Sequence, residues 1–178
     1  MATAGERGQD LPDDAARLAD EAVAVLELAA KRETSIATAE SCTGGLIASL
    51  LTDQRGLSKW FDRGFVVYTE EAKCDLLGIE PILIARHGVV SEEVAKEMAR
   101  RALERSDAGV AVGVTGFAGP GGPNDEPGLI HLAVCDRGGR LIHRECHFGD
   151  CGRDATRART AAAALEMLSE LLESPAPD

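Results

Sequence analysis

Glu40, Ser41, Cys42 and Thr43 stand side by side and run into Gly44 and Gly45. A carboxylate, two hydroxyls and a thiol before a glycine pair are groups able to attack a carbonyl or hold a substrate. An extended run, Ser35 to Ala39, enters the segment, and an apolar run, Leu46 to Leu51, leaves it. The order strand, turn, helix (from about Gly44 to Leu51) places the segment at a helix N-terminus. There, unpaired N–H groups and the helix dipole favour an anion or a developing oxyanion. Ser41 or Cys42 would be a nucleophile at the mouth of that turn. The plainer alternative is that Ser41 caps the helix and Cys42 fills a small space in the core.

A nucleophile needs a base, and no His lies in the segment or in a local arrangement resembling a Ser-His-Asp triad. Lys73 is the better candidate. It falls in the first turn of a short helix that Thr69 caps and Gly78 stops. The dipole disfavours a cation there, and burial would lower its pKa toward that of a usable base. Glu70 and Glu71 act in the opposite sense, and a solvated surface lysine is the competing reading. Thr115 to Gly122 is a second possible anion cradle, within a Gly- and Pro-rich loop after a strong strand, where α/β proteins tend to bind ligands. It matches neither a P-loop nor a dinucleotide fingerprint, and a structural turn fits it equally well. His143, Cys146, His147 and Cys151 are zinc-ligand types close in sequence. Strand alternation puts His143 and His147 on one face and Cys146 on the other, and the spacing lacks a Cys-x-x-Cys knuckle. His87 and His131 have no evident partners and are read as structural.

The elements that must position these groups follow from periodicity. Leu11 to Lys31 carries apolar residues at helical spacing. Phe65 to Tyr68, within Trp60 to Tyr68, reads as a buried strand. Ile79 to Val90 reads as a connector, and Ser91 caps a helix with Glu92 and Glu93 in its first turn. Ala108 to Val114 is a strand. Leu129 to Cys135 and Leu141 to Phe148 are strands joined by a hairpin at Arg137-Gly138-Gly139. Arg153 to Leu172 is a closing amphipathic helix. The pattern predicts an α/β fold with a mixed sheet covered by helices and an antiparallel hairpin toward one edge. Residues 1–10 are expected to form a disordered N-terminal tail, residues 11–172 a single domain, and residues 173–178 a loose C-terminal tail.

The composition narrows the function. With 178 residues, the chain has length enough for a sizeable core. A net charge of −11 and only 3% aromatic residues argue against a nucleic-acid or anionic-membrane surface. Local Arg residues would still hold a small anion. Five cysteines without paired short spacings fit a reducing compartment, and no apolar run approaches about 18 residues, so a cytoplasmic location without membrane association is expected. Ala-rich amphipathic helices make a homo-oligomer plausible.

Four blocks resemble the CinA C-terminal domain family, of the stand-alone nicotinamide-nucleotide amidase type. They are Thr38 to Gly45, Gly64 to Lys73, His87 to Ser91, and Val114 to Gly122, in the family's order within a resemblance spanning Leu18 to Leu172. The resemblance implies a three-layer α/β/α fold. It implies hydrolysis of nicotinamide mononucleotide to nicotinate mononucleotide and ammonia by a serine–lysine mechanism without metal or cofactor. Ser41 matches the family nucleophile and Lys73 its base, and Tyr68 and Thr115 match site positions. Glu40, Cys42, Thr43, Gly44 and Gly45 are expected at the substrate, with the Thr43 to Gly45 N–H groups facing the oxyanion. Thr115, Gly116, Gly119 and Gly121 are expected from the loop, and Arg153 or Arg157 at the phosphate. Three positions depart from the family pattern: Glu70 replaces a usual Asn, Asp125-Glu126-Pro127-Gly128 is short and acidic, and Gly149-Asp150-Cys151-Gly152-Arg153 carries an insertion. A carboxylate at Glu70 would pair with Lys73 or repel a phosphate. An amidase on another small amide, and a non-catalytic nucleotide-binding or competence-related module, are the alternatives.

Overall fold

A computed structural model of the chain describes residues 11–119, 122 and 125–174. Five strands form one sheet in the order β2-β1-β3-β4-β5, with β1 Ile36–Glu40, β2 Phe61–Val66, β3 Val110–Gly116, β4 Leu129–Asp136 and β5 Leu141–His147. β2, β1 and β3 run parallel, and β3, β4 and β5 pair antiparallel. The mixed sheet and its antiparallel hairpin edge therefore follow the sequence pattern.

Alternation along the strands divides the core in two. Ile36, Val110, Val112, Val114, Ile130, Leu132 and Val134 face α1 (Leu11–Lys31), α2 (Leu46–Thr52) and α6 (Arg153–Glu173). Ala37, Ala39, Ala111, Ala133 and Cys135 face the other way, onto α3 (Glu70–Leu77), α4 (Pro81–His87) and α5 (Glu92–Glu104). The result is a three-layer α/β/α arrangement. Branched residues face one layer, and Ala and Gly face α5, which lies correspondingly close. A Cβ on Gly113 would sit 2.5 Å from both Ala95 O and Ala99 N.

The parallel trio places three carboxyl ends on one edge of the sheet, the edge where open α/β folds bind ligands. Glu40 leads into Ser41, Val66 leads through Val67 and Tyr68 to α3, and β3 leads into the loop from Thr115.

Several boundaries differ from expectation. Phe65 to Tyr68 is not a buried strand, because β2 ends at Val66 and pairs only with β1. Val66 is 50% exposed on that edge. An apolar run does not reveal whether one or both of its faces are covered. The connector after Ile79 contains α4, started by Pro81 at a position where its missing N–H costs nothing. α2 begins at Leu46 rather than Gly44, since Gly44 and Gly45 have φ of 62° and 91°. At the other end, Glu173 belongs to α6, and Ser174 O accepts from Arg32 Nη2 and Arg140 Nη1. The tails expected at 1–10 and 175–178 lie outside the described residues.

Gly113→Val should destabilise the fold by about 2–3 kcal/mol, because α5 must move off the sheet. Urea denaturation checks this, and an unchanged midpoint would contradict the close contact.

Candidate active site

Ser41 stands at the first position after β1, its N–H bonded to Val114 O at 3.1 Å. The turn that follows is built from behind by Glu40. That side chain is fully buried, and its carboxylate folds forward onto α2. Oε2 accepts from Gly45 N and Ile47 N, each at 3.1 Å, and Oε1 accepts from Ala48 N at 2.8 Å and Thr38 Oγ1 at 3.3 Å. A carboxylate at a helix N-terminus satisfies orphan donors and complements the dipole. Glu40 is therefore a cap, not a substrate contact.

The same network removes two of the three expected oxyanion donors. Gly45 N is held by Glu40 and Gly44 N by Ser41 O at 3.1 Å. Arg157 supports the turn from α6, with Nε and Nη2 donating to Thr43 O at 3.0 and 2.8 Å. Arg157 is thus engaged by the backbone, and Thr43 is buried, its Oγ1 without a hydrogen-bond partner.

Lys73 is fully buried. Thr69 Oγ1 caps α3 through Ala72 N at 3.1 Å, and Lys73 reaches inward from the first turn. Its Nζ lies 3.1 Å from Ser41 Oγ, 3.0 Å from Val67 O and 3.4 Å from Tyr68 O. An ammonium in this place has three acceptors. A neutral amine can give two protons to the carbonyls and turn its lone pair to Ser41. Burial lowers the Lys73 pKa below its ordinary value, and the nearby Glu70 carboxylate opposes this. Glu70 is exposed on α3 and acts on Lys73 through space, while Nζ is directed to the three oxygens above. Cys42 packs in the core, and burial pushes its thiol up to about 12. A thiol held protonated at neutral pH is a poor nucleophile.

Ser41, Cys42 and Lys73 open into a cavity of about 250 Å³. Tyr68 stands at its mouth, 63% exposed. Thr115, Gly116, Phe117, Ala118 and Gly119 form one wall, Val89 and Val90 another, and Arg153 joins from α6. Thr115 Oγ1 ties the two walls by donating to Val89 O at 2.8 Å. Glu40, Thr43, Gly44, Gly45 and Arg157 are not among these lining residues, and Gly121 lies outside the described residues. Phe117 and Ala118 belong to the loop read as an anion cradle, whereas Val89 and Val90 are apolar and carry no chemical signature of their own. The block containing Val89 and Val90 was visible only as a resemblance.

The histidines lie elsewhere. His131 Nδ1 and His143 Nε2 are 3.1 Å apart with stacked rings, His87 Nδ1 meets Glu93, and His147 sits between Glu126 and Glu145. Cys146 packs toward the α1/α6 core and Cys151 Sγ meets Thr156 Oγ1, so the four suspected zinc ligands do not converge.

The chain is thus a three-layer α/β protein with a buried Ser–Lys pair opening into a cavity at the carboxyl edge of its sheet. The CinA C-terminal domain model matches residues 18–172, and the chain belongs to that family. It is 46% identical over 140 residues to the nicotinamide-nucleotide amidohydrolase PncC of Escherichia coli K12, covering 77% of this chain and 84% of that protein. It is 45% identical over 160 residues to a putative competence-damage inducible protein of Symbiobacterium thermophilum, covering 84% of this chain but 37% of that longer protein. The crystal structure of a competence/damage inducible protein from Agrobacterium tumefaciens superposes with a TM-score of 0.84 at 44% identity, covering 88% and 96% of the two chains.

Glu40→Gln should lower stability by about 2–3 kcal/mol, because an amide NH₂ must then face at least one of the α2 N–H groups. Urea denaturation measures the effect, and a wild-type midpoint would show that the cap carries no weight.

Proposed function

We propose that the chain is a serine amidohydrolase that converts nicotinamide mononucleotide to nicotinate mononucleotide and ammonia. The observation that carries this reading is the 3.1 Å approach of Lys73 Nζ to Ser41 Oγ inside a buried, carbonyl-lined pocket. The similarity to a nicotinamide-nucleotide amidohydrolase supports the choice of substrate. Residues 11–172 act as one catalytic domain. No described helix is long and apolar enough to cross a membrane. Together with five free thiols, this supports a cytoplasmic location.

Neutral Lys73 takes the Ser41 proton as Oγ attacks the carboxamide carbon. The developing oxyanion is held by the backbone N–H of Cys42, next to the nucleophile and in the cavity wall. Gly44 and Gly45 cannot serve, since their N–H groups are bonded within the turn. Val67 O and Tyr68 O stabilise the lysine ammonium. Lys73 then returns its proton to the departing nitrogen as the C–N bond breaks, releasing ammonia and leaving an ester on Ser41. Water, deprotonated by Lys73, cleaves the ester to the carboxylic acid and regenerates Ser41. Arg153, whose guanidinium lines the cavity, receives the phosphate.

Ammonia release from nicotinamide mononucleotide by the purified chain tests the reading. Ser41→Ala should lower kcat by a factor on the order of 10³ or more. Cys42→Ala should retain turnover, since its N–H remains, and the reverse pattern would make this a thiol enzyme.

The pH profile of kcat/KM follows the free enzyme. Its ascending limb, where Lys73 loses its proton, should lie below the ordinary lysine value of 10.5. Glu70→Gln removes a charge that raises this pKa, so the limb should move to lower pH. A shift to higher pH would contradict the assignment.

A further inference from the structure

Phe117 is the one phenylalanine whose side chain packs against neither core. Phe61 and Phe148 pack against the α1/α6 side and Phe65 against the α5 side. Phe117 is half-buried and lines the cavity instead. Its backbone is fixed on both sides: its N–H donates to Leu129 O at 2.9 Å, and its carbonyl accepts from Gly128 N at 2.8 Å. The preceding Gly116 lies hard against β4, where a Cβ would come within 2.4 Å of Ile130 Cδ1. The ring is therefore presented by a rigid loop.

The loop also spans the cavity. It starts beside the nucleophile, since Ser41 N donates to Val114 O at 3.1 Å. It ends at Gly119, where a Cβ would lie 3.2 Å from Arg153 Nη2. Phe117 is the middle residue of Thr115 to Gly119. Phe117 shares the cavity lining with Ser41 and Arg153, so a ligand with its amide at Ser41 and an anion at Arg153 lies in the same cavity as this aromatic side chain. No carboxylate lines the cavity among the described residues. A positive charge on that ligand therefore has an aromatic ring, not a carboxylate, to meet, and an aromatic face attracts cations through its quadrupole.

We infer that Phe117 is a specificity-determining residue whose ring receives an N-substituted pyridinium carboxamide, selecting a cationic aromatic amide over a neutral one. The inference rests on the amidase reading above, because only an N-alkylated pyridine ring carries its charge beside the reacting amide.

Two measurements on the full chain test it. In turnover of nicotinamide mononucleotide, Phe117→Leu should raise KM about five- to tenfold with kcat within about twofold, and Phe117→Tyr should restore KM. Separately, binding of 1-methylnicotinamide and of benzamide, its uncharged analogue, is followed by NMR without turnover. Wild type should prefer the cation about fivefold, and Phe117→Leu should lose that preference. An unchanged KM in Phe117→Leu, a fall in kcat at constant KM, or equal affinity of wild type for the two probes would each overturn the inference. If wild type releases no ammonia yet keeps the preference, the proposed reaction fails while the pyridinium site stands. Turnover without the preference removes the pyridinium site alone.

Discussion

A lysine with no exposed surface is the constraint on which the site depends. Burying an amine is tolerated only where its hydrogen bonds are met, and Lys73 meets them with two backbone carbonyls and one hydroxyl. Both carbonyls come from Val67 and Tyr68, the residues between the end of β2 and the cap of α3. Ending β2 at Val66 therefore does more than terminate an edge strand. It turns two carbonyls toward Ser41 at the point where α3 brings its lysine inward. Desolvation then lowers the amine's pKa, and the same oxygens receive its protons when it is charged.

The Ser41 hydroxyl beside Lys73 needs an equally fixed backbone. Glu40 supplies it by reaching over the turn to the N–H groups of Gly45, Ile47 and Ala48. Arg157 holds the same turn through Thr43 O, so the segment carrying Ser41 is bound to β3, to α2 and to α6. On the far side of the sheet, the small residues of β1 and β3 let α5 approach closely. The chain entering α5 then supplies Val89 and Val90 as a cavity wall, tied to β3 through Thr115.

Much of this was legible in the sequence. Alternation along Val110 to Val114 and periodicity along α1, α5 and α6 are properties of single segments, so the α/β order and the hairpin edge could be read directly. Glu40 could not. Its motif offers a carboxylate beside a serine, which reads equally well as a ligand or a cap, and only the folded turn shows it reaching forward to α2. The same holds for Arg157, whose partner lies 114 residues away. α4 was hidden because a short helix between a Pro and a Gly resembles a loop. Phe117 and the two valines are ordinary apolar residues whose role comes from where the loops converge. Lys73 was chemically plausible in the sequence, but only the fold shows it fully buried, where the local Glu residues favoured a surface charge.

Reaction with a small sulfonyl fluoride, followed by peptide mapping, tests the Ser41–Lys73 pair without relying on any substrate. The label should fall on Ser41, its rate should rise as Lys73 loses its proton, and Lys73→Met should abolish it. Labelling of Cys42 or Tyr68 instead, or a rate indifferent to Lys73→Met, would contradict the activation of Ser41 by the buried lysine.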